Sequence, residues 1–329
     1  MIKFLWCSQN GRRLALLPKS AKTMEYAYKF PILKKEFNMD INYELYKVFY
    51  YVATSLSFSD ASKQLFISQS AVSQSIKVLE KKLNQSLFIR STKRVQLTPE
   101  GDILLKHIEP AMNLIRRGEN QLLEANTLGG GQLRIGASDT ICRYYLVPYL
   151  KEFHRKYPKV HIKVTNQTSI ACARLLDSGQ VDFCITNYPN SGLSNTQNVR
   201  MIREFHDVFV ANEEYRHLKG RKISLNELKD SPILMLDRKS TTSEFLHSLF
   251  QRHRLDLVPE IEISSNDLLI DLARIGLGIA FVPDYCVPEN IPNLFVLDLN
   301  EAIPSRQLVV AHNENLPLSQ AARQFMDML

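Results

Sequence analysis

The stretch Ser59 to Leu83, SDASKQLFISQSAVSQSIKVLEKKL, constrains the fold more than any other, since it spells two helices and the tight turn between them. Ser68 has the side chain of an N-cap, an oxygen for one of the free N–H groups of a helix that starts at Gln69. Val72, Ile76, Leu79 and Leu83 recur at helical spacing and form one apolar stripe that must pack on other helices. The opposite face carries Gln69, Ser70, Ser73, Gln74, Lys77 and Lys81, with no carboxylate to repel phosphate. A glutamine amide can bond the N6 and N7 edge of adenine, a lysine reaches guanine or phosphate, and serine is tolerant. The preceding helix is expected from about Asp60 to Phe66, capped by Ser59, with Ala61, Leu65 and Phe66 packed inward and Ile67 and Ser68 turning the chain. That order is a helix-turn-helix whose second helix probes DNA. The plainer alternative is two packed helices of an ordinary all-α domain.

Beyond it, Leu87 to Arg90 and Val95 to Leu97 are short apolar runs around Ser91-Thr92-Lys93-Arg94, which suits a two-stranded wing with a basic tip. At Thr98-Pro99-Glu100-Gly101 a helix begins again, with Thr98 as N-cap and proline at the first helical position. The order from Tyr43 to Gly101 closely resembles the DNA-binding domain of the LysR-type transcriptional regulators, joining helix-turn-helix, wing and linker-helix start in one register. The candidate DNA contacts are therefore Ser68, Gln69, Ser70, Ser73, Gln74 and Lys77 with Arg90, Lys93 and Arg94 of the wing.

The location of charge agrees with that reading. Of the net +7, residues 1–38 contribute +6, residues 39–97 +4, residues 98–131 −2 and residues 132–329 −1. A near-neutral C-terminal part argues for a separate job there. Residues 1–38 mix Lys, Arg and aromatics without helical or strand period, and read as a disordered basic extension or a misassigned gene start, with Met39 where relatives of this type begin. The five cysteines show no C-x-x-C spacing, so neither a metal nor a cofactor is expected, and an odd count fits a reducing cytoplasm. No run is apolar for long enough to span a membrane.

The 329 residues exceed one typical domain. A linker helix is expected from Pro99 to about Asn126, with Leu104, Ile108, Ala111, Ile115 and Leu122 on one stripe that no domain of its own chain covers. The resemblance makes this the dimer seam. Pro110 should kink that helix or divide it in two. Thr127 to Gly131 reads as a hinge, giving boundaries of 39–97 for the DNA-binding domain, 98–131 for the linker and 132–329 for an effector domain.

In the last part, strands and helices alternate as βαβαβ. Strands are expected at Leu133–Gly136, Val160–Val164, Val181–Ile185, Phe205–Val210, Ile233–Leu236, Glu260–Ile263, Gly278–Val282 and Arg306–Ala311, the pattern of mostly parallel sheets in two α/β lobes with a cleft between them. The resemblance extends here to the family's effector domain, which looks like a type 2 periplasmic binding protein, on the moderately specific markers Gly179-Gln180-Val181-Asp182-Phe183 and Gly276 to Pro283. Ligands of open α/β sheets bind beyond the carboxyl ends of strands, where helix N-termini meet anions. That rule selects Ser138, Thr140, Ser169, Asn187, Ser240 and Thr241 for a small carboxylate or other anion, although each is equally a candidate N-cap.

The sequence holds no nucleophile elbow, no H-E-x-x-H and no phosphate loop, so an enzyme is not expected. A solute-binding protein would need an export signal. A redox sensor of the same family is the remaining alternative, resting on Cys142 in the first turn of a helix. The resemblance implies operator DNA with two half-sites, a small-molecule effector, a second copy of the chain in a dimer or tetramer, and RNA polymerase as a candidate further partner.

Overall fold

The computed structural model describes residues 41–90, 94–125, 131–288 and 293–329, of which residues 42–329 belong to one compact unit. Expectations for residues 1–38, for the wing-tip residue Lys93 and for most of the glycine hinge lie outside the described residues. Helix α1 (Tyr43–Ser55) starts at Asn42, whose Oδ1 accepts the Glu44 N–H at 2.9 Å. α2 (Phe58–Leu65) is capped by Ser57 rather than Ser59. It ends on Phe66 in the left-handed region, φ 55°, so that the Phe66 N–H can close on the carbonyls of Ser62 and Lys63. This cap turns the Phe66 ring outward, 94% exposed, and corrects the expectation that it packs inside. α3 (Gln69–Leu83) begins at Ser68, whose Oγ accepts the Ala71 N–H at 3.2 Å, and buries Val72, Ile76 and Leu79.

The wing is the antiparallel pair β1 (Phe88–Arg90) and β2 (Val95–Leu97), with Phe88 opposite Leu97. Glu80 fixes its first strand by accepting the N–H groups of Leu87 at 2.9 Å and Phe88 at 3.3 Å. Thr98 accepts the Gly101 N–H at 3.0 Å and donates to the Ser86 carbonyl at 2.7 Å. A Cβ at Gly101 would stand 2.3 Å from the Leu87 carbonyl oxygen, so only glycine lets the next helix start this close to the wing.

That helix, α4 (Pro99–Ala125), runs unbroken through Pro110, so the division into two helices does not occur. Of its apolar stripe, Leu104 and Ile108 are half-buried, while Ala111, Ile115 (56%) and Leu122 (72%) are exposed beside Ile103 and Leu114. The apolar stripe stays largely open, while the polar side of the helix docks on the C-terminal part of the same chain, a contact the sequence pattern did not suggest. Arg117 pairs with Asp182 at 3.3 Å, both nearly buried, and donates to the Val181 carbonyl. Asn113 Nδ2 donates to the Ser178 carbonyl and Gln180 Nε2 to Glu109, both at 2.7 Å. Arg116 reaches back to the hydroxyls of Tyr51, at 2.8 Å, and Tyr50, at 3.4 Å. Apolar periodicity cannot reveal a contact made of charges and amides.

The remainder forms two lobes. The first is built from β3 (Gly131–Ala137), the short α5 (Asp139–Ile141), a π-helical turn leading into α6 (Val147–Lys156), β4 (Val160–Asn166), α7 (Ser169–Asp177), β5 (Phe183–Tyr188) and β6 (Gln197–Phe205). The second takes β7 (Asp207–Asn212), β8 (Lys222–Ile223), α8 (Leu225–Leu228), β9 (Ile233–Leu236), α9 (Thr241–Arg252), β10 (Ile261–Ile263), α10 (Asn266–Arg274), β11 (Ile279–Pro283), β12 (Leu294–Val296) and β13 (Asp298–Leu299). The chain then returns to the first lobe as β14 (Arg306–Asn313) and α11 (Gln320–Met326).

The sheet orders are β4-β3-β5-β14-β6 and β10-β9-β11-β7-β12. Each is mixed rather than mostly parallel: β14 runs antiparallel to β5 and β6, and β7 antiparallel to β11 and β12. The strand expected at Phe205–Val210 is in fact two, β6 and β7, which meet at His206 where the chain crosses between lobes. Residues Leu133, Ile135, Phe153, Phe183, Val310 and Phe325 centre one core, and Phe209, Ile233, Leu246, Phe250, Ile279 and Phe281 the other.

Candidate DNA-reading helix and effector cleft

On α3 the side chains of Gln69, Ser70, Gln74, Lys77 and Lys81 are exposed and Ser73 is half-buried. Ser68, as cap, also shares a 2.9 Å hydrogen bond with the Ser70 hydroxyl, which holds both at the leading end of the helix. No acid stands in the first turn. Arg94 is exposed beside the wing tip, whereas Lys93 and the side chain of Arg90 lie outside the described residues. The face is thus a row of amides, hydroxyls and ammonium groups along an exposed helix face, a shape that fits the major groove.

In the C-terminal part, Ser138, Thr140, Ser169, Asn187, Ser240 and Thr241 all line one cavity of about 320 Å3 between the lobes. That volume suits a small metabolite. The residues differ in what they do there. Ser138 and Ser240 are N-caps, accepting the N–H groups of Ile141 at 3.3 Å and Ser243 at 3.1 Å. Ser169 is buried and accepts the Asn187 N–H at 3.3 Å, while the cap of α7 is Thr168. Thr140 accepts from Asn266 Nδ2 at 3.0 Å, a bond that spans the cleft and leaves the threonine O–H as a donor. Thr241 opens the first turn of α9 with Thr242.

Several lining residues did not emerge from the sequence. Asn266 starts α10 and follows β10 as Ser138 follows β3, so the same strand-to-helix rule would have found it. Tyr285 carried no such signal, because it arrives from the turn after β11. Buried Tyr285 Oη, Asn187 Oδ1 and Asn266 Oδ1 have no hydrogen-bond partner among the described residues. Burial pushes the Tyr285 hydroxyl well above its usual range, so it stays protonated and can donate. The first residues of α7, α9 and α10 all line the same space, which brings three helix N-termini to it. Asp139 and Asp237 also line the cavity and would oppose a ligand of high negative charge.

Residues 43–102 match the bacterial regulatory helix-turn-helix protein, lysR family, and residues 126–329 match the LysR substrate binding domain. The chain belongs to the LysR family of transcriptional regulators. It is a DNA-binding regulator with a helix-turn-helix and an effector-binding domain, not an enzyme. It is similar to the HTH-type transcriptional activator CmpR of Synechocystis sp., 28% identical over 286 residues that cover 86% of this chain and 93% of the relative. The fold resembles full-length CbnR complexed with its target DNA, with TM-score 0.59, 17% identity and coverage of 87% of this chain and 98% of that one. It also resembles the Synechocystis CcmR regulatory domain in complex with 2-PG, with TM-score 0.55, 24% identity and coverage of 60% and 95%.

The redox alternative within the LysR family meets a contrary environment. Burial, with the Asp139 carboxylate nearby, pushes the Cys142 thiol up to about 11, so the helix start does not yield a thiolate there. Cys172 is held at about 12 by burial. No helix among the described residues is long and apolar enough to cross a membrane.

Proposed function

We propose that this LysR regulator binds a small anion in the cleft between its lobes and that the ligand resets the spacing of two DNA-binding domains on two operator half-sites. The observation that carries this reading is the convergence of three helix N-termini on a cavity that also holds unpaired buried polar atoms from both lobes. Helix starts offer N–H groups and positive dipole ends to an anion, and Tyr285 adds a donor. The unpaired Asn187 and Asn266 oxygens would accept from a hydroxyl on the ligand. The 2-PG bound by the CcmR domain supports the chemical class. Gln69, Ser70, Ser73, Gln74 and Lys77 would read bases, and Arg94 would hold phosphate. The exposed run Ile103, Leu114, Ile115 and Leu122 of α4 would form the seam with a second copy, and the protein would act in the cytoplasm.

A thermal-shift screen of 2-PG and small carboxylates on the full-length protein tests the ligand class, since a ligand raises the stability of the state it binds. A rise in melting temperature for anions and none for neutral analogues supports the reading. A response to uncharged ligands alone would refute it.

A further inference from the structure

A larger cavity, about 650 Å3, lies away from the cleft, where α1, α4, β3 and β4 meet. Its lining is polar and unevenly charged. The parallel register of β3 and β4 sets Arg134 beside Lys163, and like charges at paired positions destabilise a sheet. Among the described residues neither has a carboxylate within ion-pair distance. Arg116 enters from α4 and, among the described residues, is bonded to the neutral hydroxyls of Tyr50 and Tyr51, with its guanidinium 5.1 Å from the Tyr50 ring centroid. Glu109, the one carboxylate among the described lining residues, already accepts from Gln180 at 2.7 Å. Asp182, in the adjoining segment, is taken by Arg117 and by the Arg134 backbone N–H at 2.8 Å.

Among the described lining residues three cations stand against one carboxylate, with Asp182, already paired to Arg117 and also felt by Arg134, just outside, in a space large enough for a metabolite. We propose that this cavity is a second ligand site, distinct from the cleft, for a doubly charged phosphate ester. The Arg134 guanidinium suits two oxygens of a phosphate, and the Lys163 ammonium supplies a point charge. Asn120 lines the same cavity and offers a carboxamide to hydroxyl groups of the ester, and Gln132, whose Oε1 accepts from Arg134 Nε at 2.8 Å, steadies the guanidinium and keeps its amide N–H groups to donate. The anion would relieve the repulsion between Arg134 and Lys163. Because the walls come from the first helix of the DNA-binding domain, the linker helix and the effector lobe, it would also brace these three parts together.

Titration calorimetry of the full-length protein with inorganic pyrophosphate, at fixed ionic strength, tests the site. Saturable binding is expected, weakened about tenfold or more in Arg134→Gln and in Lys163→Gln, the loss of one charged hydrogen bond. Lys163 is exposed, so Lys163→Gln leaves the fold intact and serves if Arg134→Gln proves unstable. Absence of saturable binding to the wild type would overturn the proposal. So would unchanged affinity in Lys163→Gln together with loss in Thr140→Val, which would place the anion in the cleft. A Lys163→Gln variant that binds pyrophosphate normally and only lowers the salt dependence of operator binding would assign the charges to DNA instead.

Discussion

Arg306 and Asp207 are the first residues of the two strands through which the chain crosses between the lobes, and they form a buried ion pair at 2.8 Å. Arg306 Nη1 also donates to Thr242 Oγ1 at 3.1 Å, in the first turn of α9 on the cleft wall, and its guanidinium lies between the rings of Phe205 and Phe245. The interlobe crossing and the cleft cavity therefore share one side-chain network. Removing one partner of such a pair leaves a charge with no compensation. Arg306→Met should thus lower stability by about 3–5 kcal/mol, read by urea denaturation, whereas a surface change such as Arg155→Met should have little effect.

On the DNA side, Gln74 is exposed on the polar face of α3. Gln74→Ala should relax base preference at one position per half-site at a cost of about 1–3 kcal/mol, because one bidentate contact is lost. Arg94→Ala should weaken binding to all sequences alike. Operator-variant titrations at several salt concentrations separate the two effects.

For the seam, the structure favours Ile115 over Ile108 as the probe, since Ile115 is the more exposed of the two. Ile115→Asp would place two carboxylates face to face in an apolar contact. Sedimentation should then show a monomer and operator binding should fall sharply. A dimer of unchanged affinity would remove this face of α4 from the interface.

The cysteines give a pH-dependent test. With Cys142 at about 11, its thiolate is scarce near neutrality, so alkylation by iodoacetamide should be slow at pH 8 and accelerate only as pH approaches 11. Mass spectrometry of labelled peptides reads this directly. Rapid labelling at pH 7 would revive a redox role.

What the sequence revealed and what it hid follow a physical pattern. The stripe of Val72, Ile76 and Leu79 was legible because burial on one face of a helix imposes a period. Phe66 misled because a left-handed cap, not hydrophobicity, sets its direction. β6 lies at a sheet edge with most of its side chains exposed, so it carries no alternation to read. Arg117 and Asp182, sixty-five residues apart, meet only once the linker helix docks, and no local pattern announces a buried charge pair. In the cleft, the strand-to-helix rule picked out Ser138, Thr140, Ser169, Ser240 and Thr241 among the lining hydroxyls but not Thr168, Thr242 or Ser264, nor Tyr285, which arrives by the turn after β11.

An anion bound in the cleft would sit where Thr140 and Asn266 meet. The most direct test is calorimetric titration of the strongest anionic ligand from the screen into wild-type and Thr140→Val protein, with melting curves run in parallel. Thr140→Val keeps the shape but removes a hydroxyl, so affinity should fall by about 1–3 kcal/mol while the protein stays folded and still binds its operator. Unchanged affinity per folded molecule, with a loss of stability instead, would show that Thr140 serves only to join the lobes and that the ligand binds elsewhere.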